Sequence, residues 1–96
     1  MTHYVLKPRA QRDLEEIWDY SAVNWSVDQA EVYVRQIQQT LALLANDPYL
    51  GRTCDDVRAG FRKFPSGAHV VFYRAIAGGI EIVRILHASM DVERHL

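Results

Sequence analysis

Basic residues and one histidine in the second half of the chain are the strongest candidates for chemistry. The set comprises Arg58, Arg62, Lys63, Arg74, Arg84 and His87. If several of these side chains point from one face of a sheet, they form a basic patch with the histidine at its rim. Such a patch could hold an RNA phosphate while an acid–base group assists attack by the 2′-hydroxyl. The structural alternative is that Arg62 and Arg84 pair with acidic helices or keep the sheet soluble, and spacing alone favours it.

Other common catalytic and metal-binding patterns are missing from the sequence. It contains no glycine-rich phosphate loop, nucleophile elbow or zinc-finger spacing. His87, Asp91 and His95 are spaced four residues apart, but a metal site also needs an enclosing wall and outer partners. The lone Cys54 can neither close an internal disulfide nor hold zinc by itself. We therefore predict no metal and no cofactor.

Length and composition indicate one soluble domain spanning residues 1–96. The hydrophobic fraction of 49% and the charged fraction of 24% are ordinary for a globular protein. No apolar run is long enough to cross a bilayer, and the first residues do not resemble a signal peptide. We therefore expect a cytoplasmic protein that does not bind membranes. The net charge of −1 argues against a general nucleic-acid binder.

The near-neutral total charge conceals two regions of opposite sign. Residues 10–31 contain six acidic residues and one arginine, whereas residues 52–74 contain five basic and two acidic residues. This asymmetry indicates either two faces with different partners or two regions that attract each other within the fold.

The elements that must position these residues begin with a short strand and two helices. Residues 4–6 form the predicted strand, and Pro8 suits the first turn of a helix. Ser26 followed by Gln29 is a capping-box pattern that opens a second helix, which ends before Pro48. Two helices joined by so short a connection form an αα-hairpin.

Apolar stripes at helical spacing define the buried faces of the two helices. The first stripe comprises Ala10, Leu14, Ile17, Trp18, Ser21 and Trp25. The second comprises Ala30, Tyr33, Ile37, Leu41 and Leu44. This assignment leaves Asp13 on the solvent side of the first helix.

Three strands follow, at residues 57–64, 68–76 and 80–86, all rich in β-branched and aromatic residues. Turn signals separate them at residues 65–67 and 77–79. The middle strand is apolar on both faces and is therefore central. The order β-α-α-β-β-β predicts an α+β fold, in which a short N-terminal strand and an αα-hairpin pack on a small, mainly antiparallel sheet.

Short motifs occur in a fixed order from Tyr4 to the C-terminus. They are Pro8-Arg9-Ala10, Ile17-Trp18-Asp19-Tyr20, Asp47-Pro48, Arg58-Ala59-Gly60-Phe61-Arg62, His69-Val70-Val71-Phe72-Tyr73-Arg74 and Ile82-Val83-Arg84-Ile85-Leu86-His87. With this series the chain resembles the ParE-type toxins of the RelE/ParE superfamily, the toxin half of bacterial toxin–antitoxin pairs. The resemblance implies a non-enzymatic toxin that inhibits DNA gyrase and is neutralised by a cognate ParD-like antitoxin, with which it can form higher-order assemblies. It implies no sequence-specific nucleic-acid binding by the toxin alone.

Two other functions stay open within the resemblance. The branch of the superfamily similar to RelE cleaves ribosome-bound mRNA, and its catalytic groups here would be Arg62, Arg84 and His87. That branch uses a tyrosine or histidine near the C-terminus, and this chain has no tyrosine after Tyr73. The C-terminal residues of this chain are instead similar to those of the ParE branch. The other alternative is a degenerate toxin that serves only as half of a regulatory complex.

The antitoxin is expected to lie, extended or helical, in an apolar groove between the helical pair and the sheet. The predicted groove residues are Trp18, Trp25, Tyr33, Phe61 and Phe64. Contacts with gyrase are expected on charged surface and on the C-terminal arm, which a bound antitoxin could cover.

Overall fold

A short strand followed by two helices begins the fold in the computed structural model, which describes residues 3–96. These elements are β1 (His3–Leu6), α1 (Pro8–Asn24) and α2 (Val27–Asn46). Pro8 occupies the first turn of α1, as predicted. The Ser26 hydroxyl accepts a hydrogen bond of 3.1 Å from the backbone N–H of Gln29, so the predicted start of α2 is confirmed.

Four further strands and a short helix complete the fold. They are β2 (Arg52–Thr53), β3 (Phe61–Ser66), β4 (His69–Ile76), β5 (Gly79–His87) and α3 (Val92–His95). The sheet has the order β1-β5-β4-β3-β2; β1 runs parallel to β5, and the other neighbours are antiparallel. The predicted α+β class, the helical hairpin on a mainly antiparallel sheet and the central place of β4 are confirmed.

The strand predicted at residues 57–64 corresponds to β3, which begins later and ends later than predicted. Residues 57–60 form a turn, because Gly60 has a φ of 85° and its N–H donates to Oδ1 of Asp55 at 2.8 Å. At its other end β3 continues through Pro65. This is tolerated because β2 pairs only with Arg62 and Lys63, which leaves no neighbouring strand beside the proline on that side.

Both helices pack on one face of the sheet, which we call the front face. Its core contains Leu14, Ile17, Ile37, Leu41, Val71, Tyr73, Ile82 and Ile85 among its buried residues. The predicted stripes are therefore confirmed for most of their length. Trp18 is only half-buried, and Trp25 lies beyond the last residue of α1 and is 75% exposed.

A second apolar cluster lies on the opposite, back face of the sheet. It consists of Cys54, Phe61, Phe72, Val83 and Leu86. Successive side chains of a strand alternate between faces, so Phe72 joins this cluster while Tyr73 joins the front core. Val57, Val92 and Leu96 pack against the cluster, so the C-terminal helix covers the back face. No helix within residues 3–96 is both long enough and apolar enough to span a membrane.

Candidate functional site

A buried ion pair joins α1 to β5. Arg84 donates from Nε to Oδ2 of Asp13 at 2.8 Å and from Nη2 to Oδ1 at 2.9 Å. The backbone N–H of Ile85 donates to the same Oδ2 at 3.0 Å. The two side chains are 9% and 8% exposed. A carboxylate this deeply buried needs several donors, and here it has three.

The sheet leaves an open place for this carboxylate. β1 ends at Leu6, opposite Ile82, so the next residues of β5 have no strand beside them on that edge. Val83 is an extra residue in β5, because Phe72 pairs with Arg84 while Tyr73 pairs with Ile82. A bulge of this kind redirects the neighbouring side chains. Asp13 takes the place of the missing strand for the N–H of Ile85.

The expectation that Asp13 faces solvent is wrong. Asp13 lies three residues after Ala10 and four before Ile17, so its position belongs to the buried face of α1. That spacing was a usable signal in the sequence. The structural alternative for Arg84, pairing with an acidic helix, is confirmed. The hydrogen bond to Asp13 is the main cause that raises the pKa of Arg84 above its usual value, against the opposing effect of burial.

Arg62 and His87 have other partners. Arg62 donates from Nη1 to the carbonyl oxygen of Gly51 at 2.7 Å, and its guanidinium carbon lies 5.0 Å from the ring centroid of Tyr49. His87 is exposed, and its Nδ1 lies 2.7 Å from Oγ of Ser89. Arg62 is on β3 and Arg84 on β5, two strand spacings or about 10 Å apart. Arg84 and His87 line one cavity of about 590 Å³, but Arg62 does not line it, so the structure does not bring all three residues of the ribonuclease alternative together.

Two histidines and a tyrosine form a polar contact between α2 and the end of the sheet. The hydroxyl of Tyr33 lies 2.6 Å from Nδ1 of His69 and accepts the N–H of Ala68 at 2.9 Å. The rings of His69 and His87, which are paired across β4 and β5, meet edge to face at 5.4 Å. Burial is the main cause that lowers the pKa of His69, and His87 adds to it. His69 carries no signal in the sequence that marks it as a site residue.

This contact lines a cleft of about 390 Å³, which we call the histidine cleft. Its side chains include Tyr20, Trp25, Tyr33, His69 and His87. Tyr20 and Trp25 are 67% and 75% exposed, so the rim of the cleft presents two aromatic rings to solvent. Exposed aromatic groups beside a concavity are typical of a protein-binding surface.

The five predicted groove residues do not lie in one groove. Trp25 and Tyr33 line the histidine cleft, whereas Trp18 lines a separate cleft of about 240 Å³ beside β1. Phe64 is half-buried against the front core. Phe61, three residues earlier on β3, points to the back face and is buried there. A role for any of them in antitoxin binding stays a prediction.

The C-terminal histidine spacing does not form a metal site. α3 covers only Val92–His95, so His87, Asp91 and His95 do not share one helix. Residues 3–96 contain no cluster of three or more histidine, cysteine or acidic side chains that could hold a metal ion.

Comparison with known proteins identifies the family. Residues 4–92 match the family described as ParE toxin of type II toxin-antitoxin system, parDE. The chain belongs to the ParE toxin family. Toxin ParE1 of Mycobacterium tuberculosis strain H37Rv is 48% identical over 96 residues, which cover 99% of this chain and 98% of the relative. Toxin ParE1 of Caulobacter vibrioides is 45% identical, over 100% of this chain and 99% of the relative.

The fold of this chain is also found in a solved structure. The structure described as the chromosomal ParDE TA system from P. aeruginosa superposes with a TM-score of 0.79 and 21% sequence identity. The match covers 91% of this chain and 96% of the other chain. The resemblance and the fold drawn from the sequence motifs are both confirmed.

Proposed function

We propose that this member of the ParE family is the toxin of a type II toxin–antitoxin pair, that it inhibits DNA gyrase without being an enzyme, and that a cognate ParD-like antitoxin neutralises it. Family membership supports the toxin role. The proposal places its action in the cytoplasm, where bacterial DNA lies. The observation that favours gyrase over mRNA as the target is that the guanidinium of Arg84 is bound to Asp13.

In the ribonuclease alternative, Arg84 is the cationic group that would hold the scissile phosphate. Arg84 uses Nε and Nη2 on Asp13 and directs Nη1 to the carbonyl oxygen of His95 at 2.7 Å. Turning its guanidinium toward a phosphate would leave the buried carboxylate unpaired, at a cost of about 3–5 kcal/mol. These contacts support a structural role for Arg84. Inhibition of a large enzyme needs only surface contacts, with no reacting group.

The test adds the purified protein to gyrase supercoiling reactions and, separately, to translating ribosomes. We expect impaired supercoiling or trapped cleaved DNA, together with intact mRNA. His87→Gln should change gyrase inhibition by no more than about threefold, because binding energy is spread over many contacts. Codon-specific mRNA cleavage that His87→Gln abolishes, with gyrase unaffected, would establish the ribonuclease alternative. Antitoxin binding with neither activity would establish the degenerate toxin.

Trp25 at the rim of the histidine cleft is our choice for an antitoxin anchor. Truncating a ring at the centre of an interface costs about 2 kcal/mol or more, so Trp25→Ala should weaken antitoxin binding at least about thirtyfold. Tyr49→Ala is the matched control, because Tyr49 is also 75% exposed but lies away from the cleft. Calorimetric titration with antitoxin provides the measurement. Equal affinities of the two variants would place the antitoxin elsewhere.

Antitoxin binding should also raise the thermal stability of the toxin. A partner that binds only the folded state at 100 times its Kd stabilises that state by about 2.7 kcal/mol. We therefore expect the Tm of the toxin to increase with antitoxin concentration in a thermal scan. A Tm that does not respond would show that the two chains do not form a complex.

A further inference from the structure

A further concavity, formed where α1 begins and α3 ends, is lined by cationic side chains. Its volume is about 600 Å³. The cationic side chains that line it are those of Lys7, Arg9, Arg58, Arg84 and Arg94, and His95 lines it as well. No aspartate or glutamate side chain lines it. We call this concavity the cationic cleft.

Most of these charges lack a counter-charge. Among residues 3–96, Arg84 pairs with the carboxylate of Asp13, and Arg58 donates to the main-chain oxygen of Leu96, the last residue of the sequence. The side chains of Lys7, Arg9 and Arg94 form no hydrogen bond or ion pair within this part of the chain, and all three residues are exposed. Unpaired like charges repel one another, so this grouping does not help the fold.

The positions of Lys7 and Arg9 are electrostatically unfavourable on their own helix. α1 has no side-chain cap and no acidic residue in its first turn. The start of a helix carries a partial positive charge, which disfavours cations by about 0.3–1 kcal/mol each. The side chains of Lys7 and Arg9 are exposed and available to an anion.

The C-terminal segment is held so that it forms one wall of the cleft. Arg84 donates to the carbonyl oxygen of His95 at 2.7 Å, and Arg58 donates to the terminal main-chain oxygen of Leu96 at 2.9 Å. Leu96 also packs against the back-face cluster. The side chain of Arg94 is thereby kept beside those of Lys7 and Arg9.

We infer that the cationic cleft binds phosphates of the backbone of duplex DNA, an inference that rests on the proposed action on gyrase, whose substrate is DNA. Arginine donors match the geometry of phosphate oxygens. No Phe, Tyr or Trp lines the cleft, so it lacks the large aromatic rings on which the bases of single-stranded nucleic acids commonly stack. Contacts to phosphates position a protein without reading sequence, which agrees with the expectation that the toxin alone binds no specific sequence.

The test measures binding of the purified full chain to a short fluorescent DNA duplex by anisotropy, between about 50 and about 200 mM salt. Arg9→Gln/Arg94→Gln removes two charges from the cleft. Arg12→Gln/Arg35→Gln removes two from exposed helix positions outside it and gives the same net charge. All four residues are exposed, so we expect both variants to fold.

The wild type should bind weakly and in a salt-dependent manner. Each phosphate contact contributes about 0.9 to the slope of log K against log salt, so the cleft variant should lose up to about 2 from that slope and about tenfold in affinity at low salt. The control variant should change affinity by no more than about twofold, since distant charges are screened. Equal losses in the two variants, or no duplex binding by the wild type at any salt, would overturn the inference.

Two further arms separate partners and functions. Stronger cleft-dependent binding of a single-stranded RNA or of a polyglutamate peptide than of the duplex would also overturn the inference. In gyrase cleavage reactions the cleft variant should trap less cleaved DNA than the control variant. Cleft-dependent duplex binding with gyrase unaffected would uphold the DNA site and refute the proposed function. Gyrase inhibition with cleft-independent duplex binding would do the reverse.

Discussion

Asp13 is the residue through which α1 is attached to the far end of the sheet. Its carboxylate accepts two hydrogen bonds from Arg84 and one from the N–H of Ile85. Because β1 is too short to reach this part of β5, no strand offers an acceptor there. The side chain therefore combines the role of a counter-charge with that of a strand neighbour.

Removing this carboxylate should be strongly destabilising. Asp13→Ala leaves the buried Arg84 unpaired, and we expect the free energy of unfolding to fall by about 3–5 kcal/mol. Glu15→Ala, an exposed acidic position on the same helix, should change it by less than about 0.5 kcal/mol. Urea denaturation measures both variants. A loss below about 1 kcal/mol for Asp13→Ala would mean that water replaces the carboxylate without cost.

His69 should make the stability of the fold depend on pH. Burial first, and then the neighbouring His87, lower its pKa in the folded state below the usual 6.5. The unfolded chain thus takes up a proton at a higher pH than the folded chain does. The contribution of His69 is complete above about pH 6.5 and is lost as pH falls through its folded pKa.

We expect the wild type to lose more stability than His69→Gln between about pH 7.5 and about pH 5.5. Urea denaturation at the two pH values provides the comparison, and each chain serves as its own reference. If the wild type and His69→Gln lost equal amounts of unfolding free energy, His69 would bind protons equally in the folded and unfolded states.

Residue-level pairing was only partly accessible from the sequence. Pairing of Arg84 with an acidic helix was one of two alternatives open from the sequence, whereas its partner Asp13 was expected on the solvent side. The missing information is the bulge at Val83, since one extra residue changes which side chains of β5 meet α1 and β4. The pairing of His69 with His87 could not be predicted either, because it depends on the register shift at the same bulge.

Within α2, buried and exposed leucines stand two residues apart. Leu41 is fully buried in the front core, whereas Leu43 is 49% exposed. Emptying a packed site costs about 2–5 kcal/mol, so Leu41→Ala should lower the free energy of unfolding by that amount. Leu43→Ala should cost less than about 1 kcal/mol, although the atoms removed are the same. Similar losses for both would contradict the orientation of α2.

The elements were more predictable than the residues that join them. Helical stripes, the cap at Ser26 and the run of β-branched residues are local signals, and the corresponding elements are confirmed. The parallel pairing of β1 with β5 and the turn at Gly60 depend on contacts between distant or irregular segments. The predicted common groove failed geometrically because residues three apart on a strand, such as Phe61 and Phe64, face opposite sides.

The molecule as a whole has a sheet covered on both faces, with α3 as the smaller cover. Val92 and Leu96 pack on the back-face cluster. Val92→Ala/Leu96→Ala should therefore lower the free energy of unfolding by about 1–3 kcal/mol and increase the fluorescence of a dye that binds apolar surface. Glu93→Ala, exposed on the same helix, should do neither. Unchanged dye fluorescence in the double variant would show that α3 does not cover the cluster.

The parallel pairing of β1 with β5 also determines when the complete sheet can form during synthesis of the chain. Residues 3–6 are made early, but their partners at 79–82 come late. At about 5–20 residues per second, translation separates the two strands by roughly 4–15 seconds. During that interval the nascent helical hairpin has no finished sheet to cover its apolar stripes. Synthesis therefore leaves seconds in which a chaperone or another binding protein already present can reach the growing chain, before any surface that needs the complete sheet has formed.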